Sequence, residues 1–100
     1  MAKFSEVENE PGHWLFYCLG CKTHHSVWTT PNKNKVLWNY NNDVDNPTIS
    51  PSLRVKHFSN EQQKHILCHS FIREGKIEYL NDCTHELAGQ IVDIPHWEDT

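Results

Sequence analysis

No stretch of this 100-residue chain approaches the ~20 consecutive apolar residues that a membrane-spanning helix requires. The N-terminal run MAKFSEVENE lacks the apolar segment of a signal peptide. Both absences point to a protein of the cytoplasm. Positive charge is scarce as well. Nine Lys and Arg stand against thirteen Asp and Glu, and a net charge of -4 argues against nucleic acid as a partner, because phosphate binding needs a basic face. Apolar residues make up only 37% of the chain and the mean hydropathy is -0.70, so the core is small and a further staple is expected. Disulfides do not persist in a reducing cytoplasm. A metal is the staple that remains.

What the chain does have is β-forming character, four cysteines and eight histidines. Short β-branched and aromatic runs at residues 13–18, 25–30, 36–40 and 49–55 read as strands, separated by polar loops at 31–34 and 41–47. Pro47 and Pro51 bracket Thr48-Ile49-Ser50, which makes that strand an edge or delays its start until after Pro51. Residues 59–64 form a polar connection. One short helix is expected over 84–89, capped by Thr84 and stopped by Gly89. Residues 1–10 are polar and read as a flexible N-terminus, leaving 11–97 as one domain. The fold class is a small, mainly β or α+β, single domain of antiparallel strands.

Residues 65–73 and 76–80 form a hairpin around the turn Glu74-Gly75. Counting back from that turn, Ile72 faces Ile77 and Ser70 faces Tyr79. An uninterrupted count then sets Cys68 against Asn81 and Ile66 against Cys83. Cys68 and Cys83 share one sheet face as diagonal neighbours, about 7–8 Å apart, while His69 points to the other face.

Two thiols on one face, with two more from Cys18-Leu19-Gly20-Cys21, supply the four tetrahedral ligands of a closed zinc site. Cys18, Cys21, Cys68 and Cys83 are therefore the expected metal ligands, with zinc as the cofactor. His25, His69 and His85 stand beside the cysteines, and each is an alternative fourth ligand. Together with Asp82, which can orient a ligand histidine, they form the alternative catalytic set of an open, water-activating zinc. A redox role for the C-x2-C fits poorly, because the residues after it read as strand and not as helix.

The C-x2-C-x3-His pattern, Asn46-Pro47-Thr48-Ile49-Ser50-Pro51-Ser52, and the run from Cys68 to His85 with Leu87-Ala88-Gly89-Gln90 carry a resemblance. Over about residues 12 to 95 the chain resembles a family of small phage and prophage proteins of unknown function, often labelled "ammonia monooxygenase". Leu19 stands where the family usually has proline, and some relatives carry serine in place of Cys83. More distant relatives lie beside bacterial ubiquitin-like conjugation genes, which implies protein partners. The oxygenase label does not suit this chain. That enzyme is a copper-containing membrane protein, and a sulfur-rich cluster favours zinc.

Two functions follow. The first is a zinc-stabilised, non-enzymatic module that binds a host protein, acting in the host cytoplasm if phage-encoded. It is favoured by the closed sulfur site and by the absence of a recognisable nucleophile–base motif. Trp and Tyr, which anchor interfaces, would supply its binding surface. The alternative is a small zinc-dependent hydrolase built on His25, His69, His85 and Asp82.

Overall fold

Alternation of inward and outward side chains builds two antiparallel sheets in this chain. The computed structural model describes residues 2–31 and 37–100, a small β-rich single domain with no α-helix among them. One sheet has three strands in the order β1 (Ser5–Glu6), β2 (His13–Cys18) and β3 (Thr23–Trp28). The other has five, arranged as they occur in the chain: β4 (Asn39–Tyr40), β5 (Ile49–Ser59), β6 (Lys64–Arg73), β7 (Lys76–Tyr79) and β8 (Ile91–Asp93). A short 3-10 turn, Trp97–Asp99, follows.

β6 carries the clearest pattern. Ile66, Cys68, Ser70 and Ile72 are buried, and the residues between them face outward. Its hairpin with β7 has the expected register, with Ser70 opposite Tyr79, Ile72 opposite Ile77, and Arg73 opposite Lys76. Glu74 and Gly75 both take left-handed conformations, φ 49° and 79°, as a two-residue hairpin turn requires. The inward residues of the second sheet, Leu53, Cys68, Ile72, Ile77 and Tyr79, join Phe4, Phe16, Cys18 and Val27 in one buried cluster. Each fully buried Ile, Val or Phe there is worth roughly 1.5–3 kcal/mol relative to exposure.

Several expectations are corrected. The first ten residues are not a loose extension. Lys3 and Phe4 are buried, Ser5–Glu6 pairs with β2, and the Ala2 carbonyl accepts a hydrogen bond from Trp97 N–H. Phe4 explains this, since its ring stacks on Phe16 and Tyr40 at 5.5 Å each. Residues 84–89 form turns and no helix, because Gly89 N–H bonds to Tyr79 and Gln90 N–H to Leu87. The third strand begins at Thr23, two residues before the expected start. The loop residues Asn32, Lys33, Asn34 and Lys35, and the strand start at Val36, lie outside the described residues.

β5 runs through Pro51 to Ser59, well past the expected end. Pro51 is tolerated because the ladder is broken there. Ile49 pairs with Ile72 and Leu53 with Ser70, so β5 holds two more residues than β6 in this interval. Ser50, Pro51 and Ser52 occupy that bulge, and the Ser50–Pro51 peptide is cis.

Candidate active site and metal centre

The bulge in β5 sets Ser52 on the outer face of the five-stranded sheet. Beyond it, regular pairing places Arg54 opposite His69, so Ser52 and His69 are diagonal neighbours on one face. Ser52 Oγ lies 3.0 Å from His69 Nε2.

A second irregularity supplies the third member. Leu80 N–H bonds to the His69 carbonyl, as a regular continuation of the hairpin demands. The next bond to β6 comes from Thr84 N–H to the Leu67 carbonyl, where an unbroken ladder would have used residue 82. Two extra residues are therefore folded into a turn closed by Cys83 N–H to the Leu80 carbonyl, 3.1 Å. That turn carries Asp82 back over the outer face, where its Oδ2 lies 3.0 Å from His69 Nδ1. With Nδ1–H donating to Asp82, Nε2 is left as the acceptor for the Ser52 hydroxyl. A serine, a base and a carboxylate that orients the base stand in line. The site is open to solvent, the His69 side chain being 24% exposed and that of Asp82 50%.

The same turn decides the other cluster. An unbroken count put Cys83 opposite Ile66, and the two extra residues put His85 there instead. Cys18 Sγ, Cys21 Sγ, Cys68 Sγ and a ring nitrogen of His85 lie within 4.8 Å of one another, a group that can hold a metal ion. Cys83, the expected fourth ligand, is outside it. Its thiol lies 3.2 Å from both the amide and the carbonyl of His69, donating to the carbonyl. His25 is buried on β3 with its ring 6.4 Å from that of His57, and it is not one of the four. His69 faces away from His85 across β6. The expected grouping of His25, His69, His85 and Asp82 around one open metal therefore does not form.

Local sequence shapes the metal group. Lys22 N–H bonds to the Cys18 carbonyl at 2.8 Å and Cys21 N–H points at Cys18 Sγ at 3.4 Å, closing the turn between β2 and β3. Gly20 is required there for space, because a Cβ would overlap the His85 ring. Tyr79 OH reaches Cys18 Sγ at 3.2 Å, and the His85 ring meets the Tyr79 ring edge-on at 4.6 Å. The His85 Nε2 is buried without a hydrogen-bond partner.

Electrostatics fits a cation in this place. Hydrogen bonds from Cys21 and Cys68 hold the Cys18 thiol far below its ordinary value. Cys21 is pushed up to about 12 and Cys68 higher still, chiefly because each proton is held in a hydrogen bond to Cys18. A divalent ion bound there would favour the thiolate form of all three sulfurs. Burial also lowers the pKa of His85, which keeps its ring neutral and able to ligate.

An open cavity of about 420 Å³ borders Cys21 and His85 and is also lined by Lys22, His57, Lys64 and Glu86. Ser52, His69 and Asp82 do not line it. These three residues sit on the opposite face of the sheet.

Residues 2–80 match a family model described as BubE, a bacterial ubiquitination-like system serine protease. The chain belongs to the BubE family. The match includes Cys18, Cys21, Ser52, Cys68 and His69 and stops just before the turn that holds Asp82. No curated protein and no solved structure matches the chain. Membership of a BubE serine protease family overturns the expectation of a non-enzymatic binding module, and a hydrolase is the reading that agrees with it. The absence of a nucleophile–base motif is corrected too. Ser52 was visible in the sequence only as part of Ser50-Pro51-Ser52, and nothing there tied it to His69, seventeen residues away. No helix among the described residues is long and apolar enough to cross a membrane.

Proposed function

We propose that this protein is a serine hydrolase that cleaves a peptide or related acyl bond, with Ser52 as nucleophile, His69 as general base and Asp82 as the group orienting His69. The hydrogen-bonded series Ser52–His69–Asp82 carries this reading. In the first step Ser52 Oγ attacks the scissile carbonyl while His69 Nε2 takes its proton. The Asp82 carboxylate stabilises the resulting imidazolium through Nδ1–H. His69 then returns the proton to the leaving amine, which departs as the acyl–Ser52 ester forms. Water, deprotonated by the same imidazole, hydrolyses the ester and restores Ser52.

The family description directs the choice of substrate toward a protein component of a bacterial ubiquitination-like system. A cytoplasmic setting suits four free thiols, three of them gathered at one site.

We assign zinc to Cys18, Cys21, Cys68 and His85. Three thiolates and one imidazole form a common structural zinc set. The Cys18–Cys68 sulfur separation of 3.9 Å matches a tetrahedral edge of about 3.8 Å, from Zn–S bonds of about 2.3 Å. Four protein ligands leave no position for an activated water, so the metal supports the fold and Ser52 does the chemistry.

The deciding experiment is labelling with a fluorophosphonate followed by peptide mapping. The proposal requires a covalent adduct on Ser52 that is lost in Ser52→Ala and slowed in His69→Ala. An unlabelled Ser52 in metal-replete, folded protein would end it.

A further inference from the structure

Among the described residues, no strand covers one edge of β5 beyond Ser52, and β4 pairs only with Ile49 and Ser50. The backbone direction of each β5 residue follows from the neighbouring ladder. The carbonyls of Leu67 and His69 are taken by Thr84 and Leu80 on the far side of β6, so these residues do not bond to β5. Their partners Lys56 and Arg54 therefore turn their own N–H and C=O groups away from β6. Ser52 agrees, since its carbonyl accepts from the Trp38 indole N–H at 3.4 Å on the β4 side. The free edge thus presents main-chain donors and acceptors at Arg54, Lys56 and Phe58, in line with Ser52.

The side chains of those residues share the triad's face. Arg54 stands directly opposite His69, and Lys56 follows two positions on. Both are exposed, and neither has an acidic partner among the described residues. Two other cations of the same sheet are paired, Arg73 with Glu78 at 3.2 Å and Lys76 with Asp93 at 2.8 Å. Two unpaired cations on a chain of net charge -4 mark this surface for an acidic ligand.

We propose that the free edge of β5 receives an extended acidic segment of a polypeptide substrate as an added strand, with Arg54 and Lys56 holding carboxylates at alternate positions. Main-chain bonds along the edge would position the chain, and the two cations would select it. Side chains of the added strand alternate between faces, so only carboxylates two residues apart can meet both cations.

The name substrate rests on the serine-hydrolase reading, but the binding does not, and it is measured in Ser52→Ala protein. Fluorescent peptides of one composition are compared, with two Glu at alternate positions, at adjacent positions, or replaced by Lys. The alternate peptide should bind best, and raised salt should weaken it. Arg54→Glu with Lys56→Glu, checked for unchanged circular dichroism and metal content, should weaken it by about tenfold, the scale of two exposed charge pairs. Equal binding of the alternate and Lys peptides, or no binding of either, would overturn the proposal. So would equal binding of the alternate and adjacent peptides, or a single-stranded oligonucleotide binding more tightly than the alternate peptide. Fluorophosphonate labelling of the unsubstituted protein reports separately on Ser52, so failure of the edge and failure of the nucleophile are distinguishable.

Discussion

Cys68 and His69 are consecutive residues of β6 that serve opposite faces of one sheet, the thiol joining the metal group and the imidazole bonding to Ser52. The far end of the site repeats the relationship. Asp82 and His85 lie in one short segment, the first bonded to His69 and the second in the metal group. The candidate metal group and the Ser52–His69–Asp82 series therefore share two short pieces of backbone.

Purified protein is expected to hold about one zinc per chain by elemental analysis. A structural zinc site contributes about 10–16 kcal/mol on binding, comparable to or larger than the roughly 5–15 kcal/mol stability of a whole domain. Removal by a strong chelator should therefore abolish the cooperative thermal transition. Retention of that transition in metal-free protein would contradict the role given to the cluster.

Cys83 and His85 should separate cleanly. His85→Ala is expected to lose the metal, as is Cys68→Ala. Cys83→Ala should keep it and lower stability by only about 1 kcal/mol, because sulfur is a weak partner for the His69 backbone. Metal analysis and thermal melts of the three variants decide the matter. Metal loss in Cys83→Ala alone would restore the four-cysteine site.

Asp82→Asn should preserve metal content and melting temperature while lowering kcat by about 10²–10⁴-fold. KM should change little, since Asp82 orients the base and need not touch the substrate. An unchanged kcat would remove Asp82 from the mechanism.

Gly20→Ala should weaken metal retention, because the new methyl group would occupy the place of the His85 ring. Competition with a colorimetric chelator measures this directly. Affinity equal to that of the parent protein would mean that His85 has room to move and is not held by the knuckle.

The hairpin turn offers a test of the fold alone. Glu74 adopts φ 49°, a conformation that costs an ordinary residue about 1–2 kcal/mol and that asparagine tolerates better. Glu74→Asn should raise stability by about 0.5–1 kcal/mol in denaturant titration, with no effect on metal content.

Local rules were enough where the chain obeys them. Period-two alternation and a Glu-Gly turn determined the β6–β7 register from Ser70 to Lys76 by counting alone, and with it the placement of Cys68 and His69 on opposite faces. Cys18-x2-Cys21 announced half of a metal group by its spacing. The burial of Phe4 was not legible, since an aromatic residue in a polar run packs only if a distant surface receives it. Ser52, Asp82 and His85 were beyond reach for a more specific reason. Each lies in or just after an interval where one strand holds two more residues than its partner, and counting along a ladder fails at such a break. The β5 bulge turned Ser52 toward His69. The turn after Leu80 brought Asp82 over the same ring, shifted Cys83 onto the His69 backbone, and delivered His85 to the thiols. Sequence alone determined the longer strands, though not β1 or β8, and three of the four residues of the candidate metal group. Only tertiary structure decided which serine, which carboxylate and which fourth ligand complete the two sites, because those choices depend on where backbone hydrogen bonds are skipped.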